Sequence, residues 1–472
     1  MIALRQFVIF GLSLFNVGVI VYFLALNTLY LLFCVLAFVR LAQYRRRWTP
    51  RDLDAVMRSP ATPGVSLIVP AYNEEASIAD SVRSLLQLNY PHFEVVVVID
   101  GATDRTAEVL VEAFEMLPAP ASYGQPIPTQ PVKGFYRSLT HPDLVAIDKA
   151  NGGKADAINA GINAAQHGLV CVLDADSLLE EHALTRAVLP FLEDPRTVAS
   201  GGIVRIANGC RVEFGRVIDV GLPGSWLARF QVVEYLRAFL AGRVALSAMN
   251  SLLIISGAFG VFQRDLLIEA GGYRVDTVGE DMEVVVKLHR KCREAHRPYR
   301  ITFQPDPVCW TEAPETRKIL GAQRNRWQRG TMQAIGYHRR LIGNPRYGVV
   351  GLFAMPFYLL FEAAGPIIEL AGFVVTAAAL AMGMIDWRFA SLLFLAAVAY
   401  GAVLSVSAVL LEEASYRRYP RLTDLLVLCA FGVLENFGYR QLTAWWRLRG
   451  AIDYFRKRQD WGTMTRKGFL RT

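Results

Sequence analysis

Apolar positions follow two regimes along this chain. Unbroken apolar stretches occupy the ends, from Ile9 to Val39, Val349 to Met384, Phe389 to Leu411 and Leu422 to Leu434, and runs of this kind suit helices that cross or lie in hydrocarbon. Between them, from about Arg45 to Arg346, apolar and polar residues alternate as in a water-soluble domain. Gly64 to Pro70 (GVSLIVP) and Phe93 to Asp100 (FEVVVVID) are continuous β-branched runs, and between them Glu75 to Leu88 repeats its apolar residues at helical spacing. Strand, helix, strand is thus predicted, in an α/β layout whose parallel sheet is buried on both faces. The pattern continues with a helix over Thr103 to Leu117, a surface loop over Pro118 to Lys133, a strand over Asp143 to Ile147, a helix over Gly153 to Gln166 and a strand over Leu169 to Leu173. Leu227 to Leu253 reads as a largely apolar helix that suits a membrane interface and a protein core equally well. Glu315 to Arg340 reads as an amphipathic helix, opened by Pro314-Glu315-Thr316.

Composition supports the membrane reading. The 472 residues are 53% hydrophobic with a mean hydropathy of +0.28. The net charge of +8 gathers beside the apolar stretches, in Arg45-Arg46-Arg47, Arg339-Arg340, Arg417-Arg418 and the tail from Arg447 to Arg471. Cations at span ends face the cytoplasm and its anionic leaflet. A nucleic-acid partner is not indicated, because the charge follows span ends and not one face of a fold. The six cysteines lack metal-ligand spacing and read as reduced core thiols. The first apolar run is too long for a signal peptide and is expected to be a retained anchor, with its N-terminus outside. With the tail inside, an even number of crossings must follow the soluble domain, yet three apolar segments do. One of them is therefore expected to be interfacial or re-entrant. Leu422 to Trp446, with Glu435, Asn436 and Arg440, is the first candidate, and the segment with Pro356 and Gly365-Pro366 is its rival.

Candidate chemistry sits at predicted strand ends. Asp174-Ala175-Asp176 follows the strand that closes at Leu173, and open α/β sheets collect ligands at the carboxyl ends of strands. One carboxylate can meet a sugar hydroxyl while the other meets a hard cation, though a solvated turn explains a lone pair as well. Asp100 also ends a strand, beside Gly101, and is expected to contact a nucleotide; Asp104 reads as a helix cap. Tyr72-Asn73-Glu74, after the first strand, offers an aromatic face beside hydrogen-bonding groups for a base. Asp281, after Glu280, can take the proton of an attacking hydroxyl, and a first-turn helix acid is the competing explanation. Gln323, Arg326 and Trp327 share one helix face. Either they grip a sugar near a diphosphate, or a core tryptophan is flanked by solvated arginines.

In that order Asp100, Asp174 with Asp176, Glu280-Asp281 and Gln323-Arg324-Asn325-Arg326-Trp327 resemble the D, DxD, ED, QxxRW pattern of family 2 membrane glycosyltransferases. Cellulose, chitin, hyaluronan and poly-N-acetylglucosamine synthases belong to that family, and the resemblance covers about Val65 to Arg340. It implies a GT-A-type α/β domain, a parallel-rich sheet with helices on both faces, flanked by α-helical transmembrane and interfacial segments. It implies a UDP-sugar donor, with UDP-N-acetylglucosamine preferred to UDP-glucose, and Mg2+ or Mn2+. Tyr72, Glu74 and Asp100 would hold the uracil end, Asp174 the ribose or phosphate side, and Asp176 the metal. Lys154 and Asp156 match the family run G-K-x-x-A-x-N-x-G. Asp281 would be the base, and Gln323, Arg326 and Trp327 would position acceptor and diphosphate together with Glu280. Ser256-Gly257 opens a small-residue loop where processive members place one beside the acceptor. Trp461, Thr463 and Arg466 resemble a gating segment, with Met464-Thr465 interrupting its register.

The expected organisation is an anchor over 1–44, a cytoplasmic transferase domain over 45–346, transmembrane and interfacial helices over 347–446 and a basic tail over 447–472. The expected activity is inverting transfer to a growing β-linked polysaccharide, coupled to export across a cytoplasmic membrane. The alternatives are single transfer to a lipid acceptor and a non-catalytic scaffold. Expected partners are the nucleotide sugar, the glycan acceptor and membrane lipids. Export or modification partners and self-association stay open.

Overall fold

The structure is a computed structural model and describes residues 2–45, 50–120, 123–213 and 215–458. A helix over Ile2–Arg45 precedes the soluble domain. The domain is built on a ten-stranded mixed sheet. Its strands are β1 (Val65–Ala71), β2 (Phe93–Asp100), β3 (Met116–Pro118), β4 (Val132–Ser138), β5 (Leu144–Lys149), β6 (Leu169–Val172), β7 (Leu178–Leu179), β8 (Thr197–Ile206), β11 (Gly260–Gln263) and β12 (Arg300–Thr311). A separate hairpin pairs β9 (Arg211–Glu213) with β10 (Arg216–Asp219). The order across the sheet is β3-β4-β5-β2-β1-β6-β11-β8-β12-β7.

The centre, β5-β2-β1-β6, is parallel, which is why these strands are unbroken apolar runs. Their carboxyl ends carry Lys149, Asp100, Ala71 and, just beyond β6, Asp174. Helix Lys154–Ala164 lies against this sheet. Gly161 permits the approach, since a Cβ there would stand 2.4 Å from Ile68 Cγ2. Away from the centre the pairing turns antiparallel, through β11 on one side and β4 on the other.

Two sequence expectations change at the sheet edge. The helix expected to Leu117 ends at Phe114, because Glu115 adopts a left-handed φ of 48° and sends Met116–Pro118 into β3. The loop expected to Lys133 ends two residues early, where Val132–Ser138 pairs with β5 as a strand. Its side chains are mostly half-buried, so the apolar pattern that marks a buried strand is missing.

The expected helix over Leu227 to Leu253 is a composite. Trp226–Tyr235 is α-helical, Leu236–Arg243 widens into a π-helix, and Val244–Ala248 resumes the α-helix. It ends before Asn250, whose φ is 49°. The amphipathic helix runs over Arg317–Tyr337, and Thr316 caps it by accepting from the Ile319 N–H.

Two helical stretches, Phe10–Tyr44 and Trp387–Ser415, are each long and apolar enough to cross a membrane. Two further stretches reach that length only as bent pairs: Val350–Ala363 with Gly365–Ala381, bent by 43°, and Leu422–Leu434 with Tyr439–Phe455, bent by 58°. Both expected candidates for an irregular segment are thus broken, and the second is broken more sharply. Its second arm packs along Arg317–Tyr337, with Gly321 against Trp446, Gly450 against the Asn325 backbone, and Asn325 Nδ2 donating to Asp453 Oδ2 at 2.8 Å.

Candidate active site

A single cavity of about 1860 Å³ runs from the strand ends to the apolar helices that flank the domain. Tyr72, Glu74, Asp100, Lys154, Asp174, Asp176, Ser256, Gly257, Glu280, Asp281, Gln323, Arg326 and Trp327 all line it. The expected gating residues Trp461, Thr463 and Arg466 lie outside the described residues.

At the end formed by the parallel strands, Tyr72 stands at the mouth, 51% exposed. Glu74 accepts from the Ser77 hydroxyl at 2.8 Å, and its backbone N–H donates to Thr106. Asp104 accepts from the Thr106 N–H at 3.0 Å and from the Glu75 N–H at 3.1 Å, but the cap position of helix Thr106–Phe114 falls on Arg105 and not on Asp104 as expected. Asp100, which had no local task visible in the sequence, has one here. Its Oδ1 accepts from Lys149 Nζ at 2.6 Å and from the Gly152 N–H at 3.0 Å, and its Oδ2 accepts from the Gly153 N–H at 2.7 Å. Lys149 is fully buried and also meets Asp156 Oδ2 at 2.6 Å. One buried cation thus holds two carboxylates, and together they set the loop Asn151-Gly152-Gly153 that leads into helix Lys154–Ala164. Paired and hydrogen-bonded charges of this kind are the form in which burial is tolerated. Sequence reading passed over Lys149, whose only signal was a lysine that, with Asp148, closes an apolar strand.

In the middle of the cavity, Lys154 Nζ donates to Asp174 Oδ1 at 2.5 Å and lies 3.5 Å from Glu280 Oε1. Burial pulls the lysine pKa down, but Asp174, Glu280 and Asp281 more than offset this, so it lies above its ordinary value and the side chain is charged. Gly257 lies between this lysine and the candidate base: a Cβ there would stand 3.1 Å from Lys154 Nζ and 3.7 Å from Asp281 Cβ. Asp281 is half-buried in the first turn of helix Glu280–Glu294, and its Oδ1 accepts from the Met282 N–H at 2.8 Å. Burial and the neighbouring Glu280 push its carboxyl up to about 6, against the opposing pull of Lys154 and Arg243. A carboxylate poised there can take a proton near neutral pH.

Helix Arg317–Tyr337 is fastened to the loop that precedes Asp281. Gln333 Oε1 accepts from Thr277 Oγ1 at 2.9 Å and from the Val278 N–H at 3.0 Å. Gly330 and Gly279 meet backbone to backbone, and a Cβ on either would come within 2.7 Å of the other's Cα. Trp327 is 41% exposed, turned toward the cavity. The guanidinium of Arg324 lies 4.2 Å over its ring, while Nη1 donates to Gln323 Oε1 at 2.9 Å and Nη2 to Glu234 Oε2 at 2.7 Å. Arg324 is 1% exposed. The competing expectation of solvated arginines around the tryptophan is therefore overturned at this position, because Glu234 on the neighbouring helix supplies the counter-charge.

The cavity ends among Tyr30, Phe33, Phe357, Tyr358, Glu362 and Arg447. Tyr30 donates to Glu362 Oε1 at 2.6 Å, and Arg447 reaches Glu362 Oε2 at 3.2 Å. Polar groups on membrane-embedded helices normally face a cavity or one another.

With this geometry in place, the likeness to known proteins can be placed on it. The sequence matches the family described as "Glycosyl transferase family 2" over residues 66–125 and "Glycosyltransferase like family 2" over residues 135–330. The chain carries a family 2 glycosyltransferase domain. Both matches fall on the strands and helices that build the cavity. The domain is similar to the poly-beta-1,6-N-acetyl-D-glucosamine synthases of Staphylococcus aureus, at 28% identity over 268 residues, and of Staphylococcus epidermidis, at 29% over 268 residues. In both cases the match covers 57% of this chain and 54% of the relative. The chain thus spans about half the length of the relatives it matches. Among solved structures, a mannosyltransferase from Pyrobaculum calidifontis, in complex with GDP-Man and Mn2+, superimposes with a TM-score of 0.51 at 22% identity. It covers 89% of this chain and 99% of its own, and shows that the transferase domain has a known glycosyltransferase fold.

Proposed function

We propose that this chain transfers a sugar from a UDP-sugar, with inversion, to a growing β-linked glycan on the cytoplasmic face of a membrane. UDP-N-acetylglucosamine is the donor we favour, on the likeness to the staphylococcal synthases. The observation that carries the reading is the continuity of one cavity from Asp100 and Asp174, past Asp281, to Trp327 and the helices around Tyr358. A nucleotide fits the strand-end pole, where Tyr72 can stack on a base and Glu74 and Asp100 can accept from it. Lys154 faces the diphosphate side. Asp281 accepts the proton of the acceptor hydroxyl as its oxygen bonds to the anomeric carbon. The bond from that carbon to the diphosphate breaks, UDP leaves, and a single displacement on an α-linked donor yields a β-linkage.

Asp174 and Asp176 supply two carboxylates. No cluster of three metal-ligating side chains occurs among the described residues. That donor set suits Mg2+ or Mn2+ completed by substrate phosphate oxygens, and does not suit a site made of protein alone. When bound, the ion would offset charge developing on the leaving diphosphate. The Mn2+ in the Pyrobaculum mannosyltransferase agrees with this assignment.

The domain division read from the sequence is carried into this proposal, with helix Tyr439–Phe455 running across the expected boundary at 446. Crossings by Phe10–Tyr44, by the bent pair ending at Ala381 and by Trp387–Ser415, with Leu422–Phe455 re-entering, would leave the tail on the same side as the domain. A second reading, one transfer to a lipid acceptor, is favoured by the apolar lining of Phe33 and Phe357 at the far end. Membrane vesicles supplied with a panel of radiolabelled UDP-sugars, with linkage-specific hydrolase digestion of the product, decide between them. A long hydrolase-sensitive polymer is expected. Monoglycosylated lipid as the sole product refutes polymerisation, and no incorporation from any donor refutes sugar transfer.

A further inference from the structure

Several arginines in the interior of this protein meet carboxylates. Arg205 meets Glu412 at 2.7 Å, Arg324 meets Glu234 at 2.7 Å, and Arg237 meets Glu435. Arg243, which is half-buried, has no such partner among the described residues. It closes the π-helical turn Leu236–Arg243 and lines the cavity. Its guanidinium stacks 3.7 Å from the ring of Phe239. Nη1 is buried without a hydrogen-bond partner among the described residues. A half-buried guanidinium that stacks on an aromatic face and has one buried donor unmet can still offer its donor fork to a ligand. Burial pulls its pKa down, with Tyr358, Asp281 and Tyr235 opposing.

We propose that Arg243 is an acceptor-binding residue, its planar donor fork receiving oxygens of the terminal sugar of the acceptor glycan beside Asp281. The inference rests on the sugar-transfer reading above and adds to it a residue outside the recognised motifs. Its surroundings select the acceptor over the donor diphosphate. Lys154, with Asp174, already serves the diphosphate side. The groups that face Arg243 electrostatically are Tyr358, Asp281 and Tyr235, and the Tyr235 ring lies 6.4 Å from that of Trp327. Aromatic faces around a fixed planar donor are what a neutral sugar ring asks of a site.

The test uses the full chain in lipid nanodiscs, as wild type, Arg243→Lys and Arg243→Met. Three quantities are read with a nucleotide sugar that the wild type turns over. They are the half-saturating concentration of a short oligosaccharide acceptor, the hydrolysis rate without acceptor, and the affinity for UDP. Both variants are expected to need about tenfold more acceptor, as for loss of one anchoring side chain, with UDP affinity within about twofold of wild type. Loss of UDP affinity with unchanged acceptor dependence would move Arg243 to the diphosphate and overturn the proposal. Unchanged values throughout overturn it too, while leaving sugar transfer intact. A wild type that neither hydrolyses nor transfers any nucleotide sugar overturns both readings. Arg243→Lys keeps the charge and the stem, so it supplies the measurement should Arg243→Met fail to fold.

Discussion

The contact between Gly330 and Gly279 joins the acceptor-facing helix to the helix that carries the candidate base, and it can be broken by one methyl group. In Gly330→Ala the new Cβ would stand 2.7 Å from Gly279 Cα and 3.0 Å from Gly279 N. Carbon atoms in contact sit ~3.5–4.0 Å apart, so the two backbones must separate by roughly 1 Å. No side chain can yield in their place. Gly279 immediately precedes helix Glu280–Glu294, so the displacement passes directly to Glu280 and Asp281. A misplacement of that size costs up to ~100-fold in rate, and overpacking of this kind costs ~1–3 kcal/mol of stability. The expected result is a kcat lower by ~10–100-fold with UDP affinity unchanged, because the Lys149 cluster lies at the other pole. Gly336→Ala is the control on the same helix, where a Cβ would meet only the Tyr454 hydroxyl at 3.0 Å, the far end of a side chain. Initial rates, UDP titration and thermal unfolding on all three proteins decide it. Wild-type kcat in Gly330→Ala, or an equal loss in Gly336→Ala, refutes the reasoning.

Three further outcomes are expected. Asp281→Asn should abolish turnover while retaining UDP binding, and in the wild type kcat/KM should fall as pH drops through about 6, where the carboxylate that accepts the proton becomes protonated; an acid limb near 4 would contradict the burial of that group. Lys149→Met should destabilise the fold by ~3–5 kcal/mol, since it strands Asp100 and Asp156 as buried carboxylates, and normal unfolding temperatures would show that water reaches them. His289 is buried between the Tyr299 hydroxyl at 2.7 Å and the Leu252 carbonyl at 2.8 Å. Burial holds its pKa down at about 4 against an ordinary 6.5. Between those values the unfolded chain binds the extra proton, so this stabilisation is present above pH 6.5 and is lost as pH falls toward 4. The loss is about 3 kcal/mol, and a His289→Gln variant should flatten the dependence in pH-resolved unfolding.

The parallel centre of the sheet was legible in the sequence, because strands buried on both faces must be continuous apolar runs. The candidate site could be read for the same reason: Asp100 and Asp174 punctuate those runs at the ends where ligands collect. At the sheet edge the pattern failed. β3 and β4 are too short or too exposed to carry it, and they exist because a neighbouring strand offers hydrogen bonds.

What chain order alone determined is the inventory of groups: a charged and aromatic set spaced for sugar transfer, framed by apolar helices. Only the tertiary structure decided which of those charges cancel one another. Lys149 sits 49 residues from its partner Asp100, and Arg324 sits 90 from Glu234. Each would be a solvated cation by sequence, and each is buried because the fold brings an acid to it. Arg243 is read as unusual by the same comparison, since packing gave it an aromatic face and no acid. Pairing of buried charge depends on distances through space, which local sequence patterns do not encode.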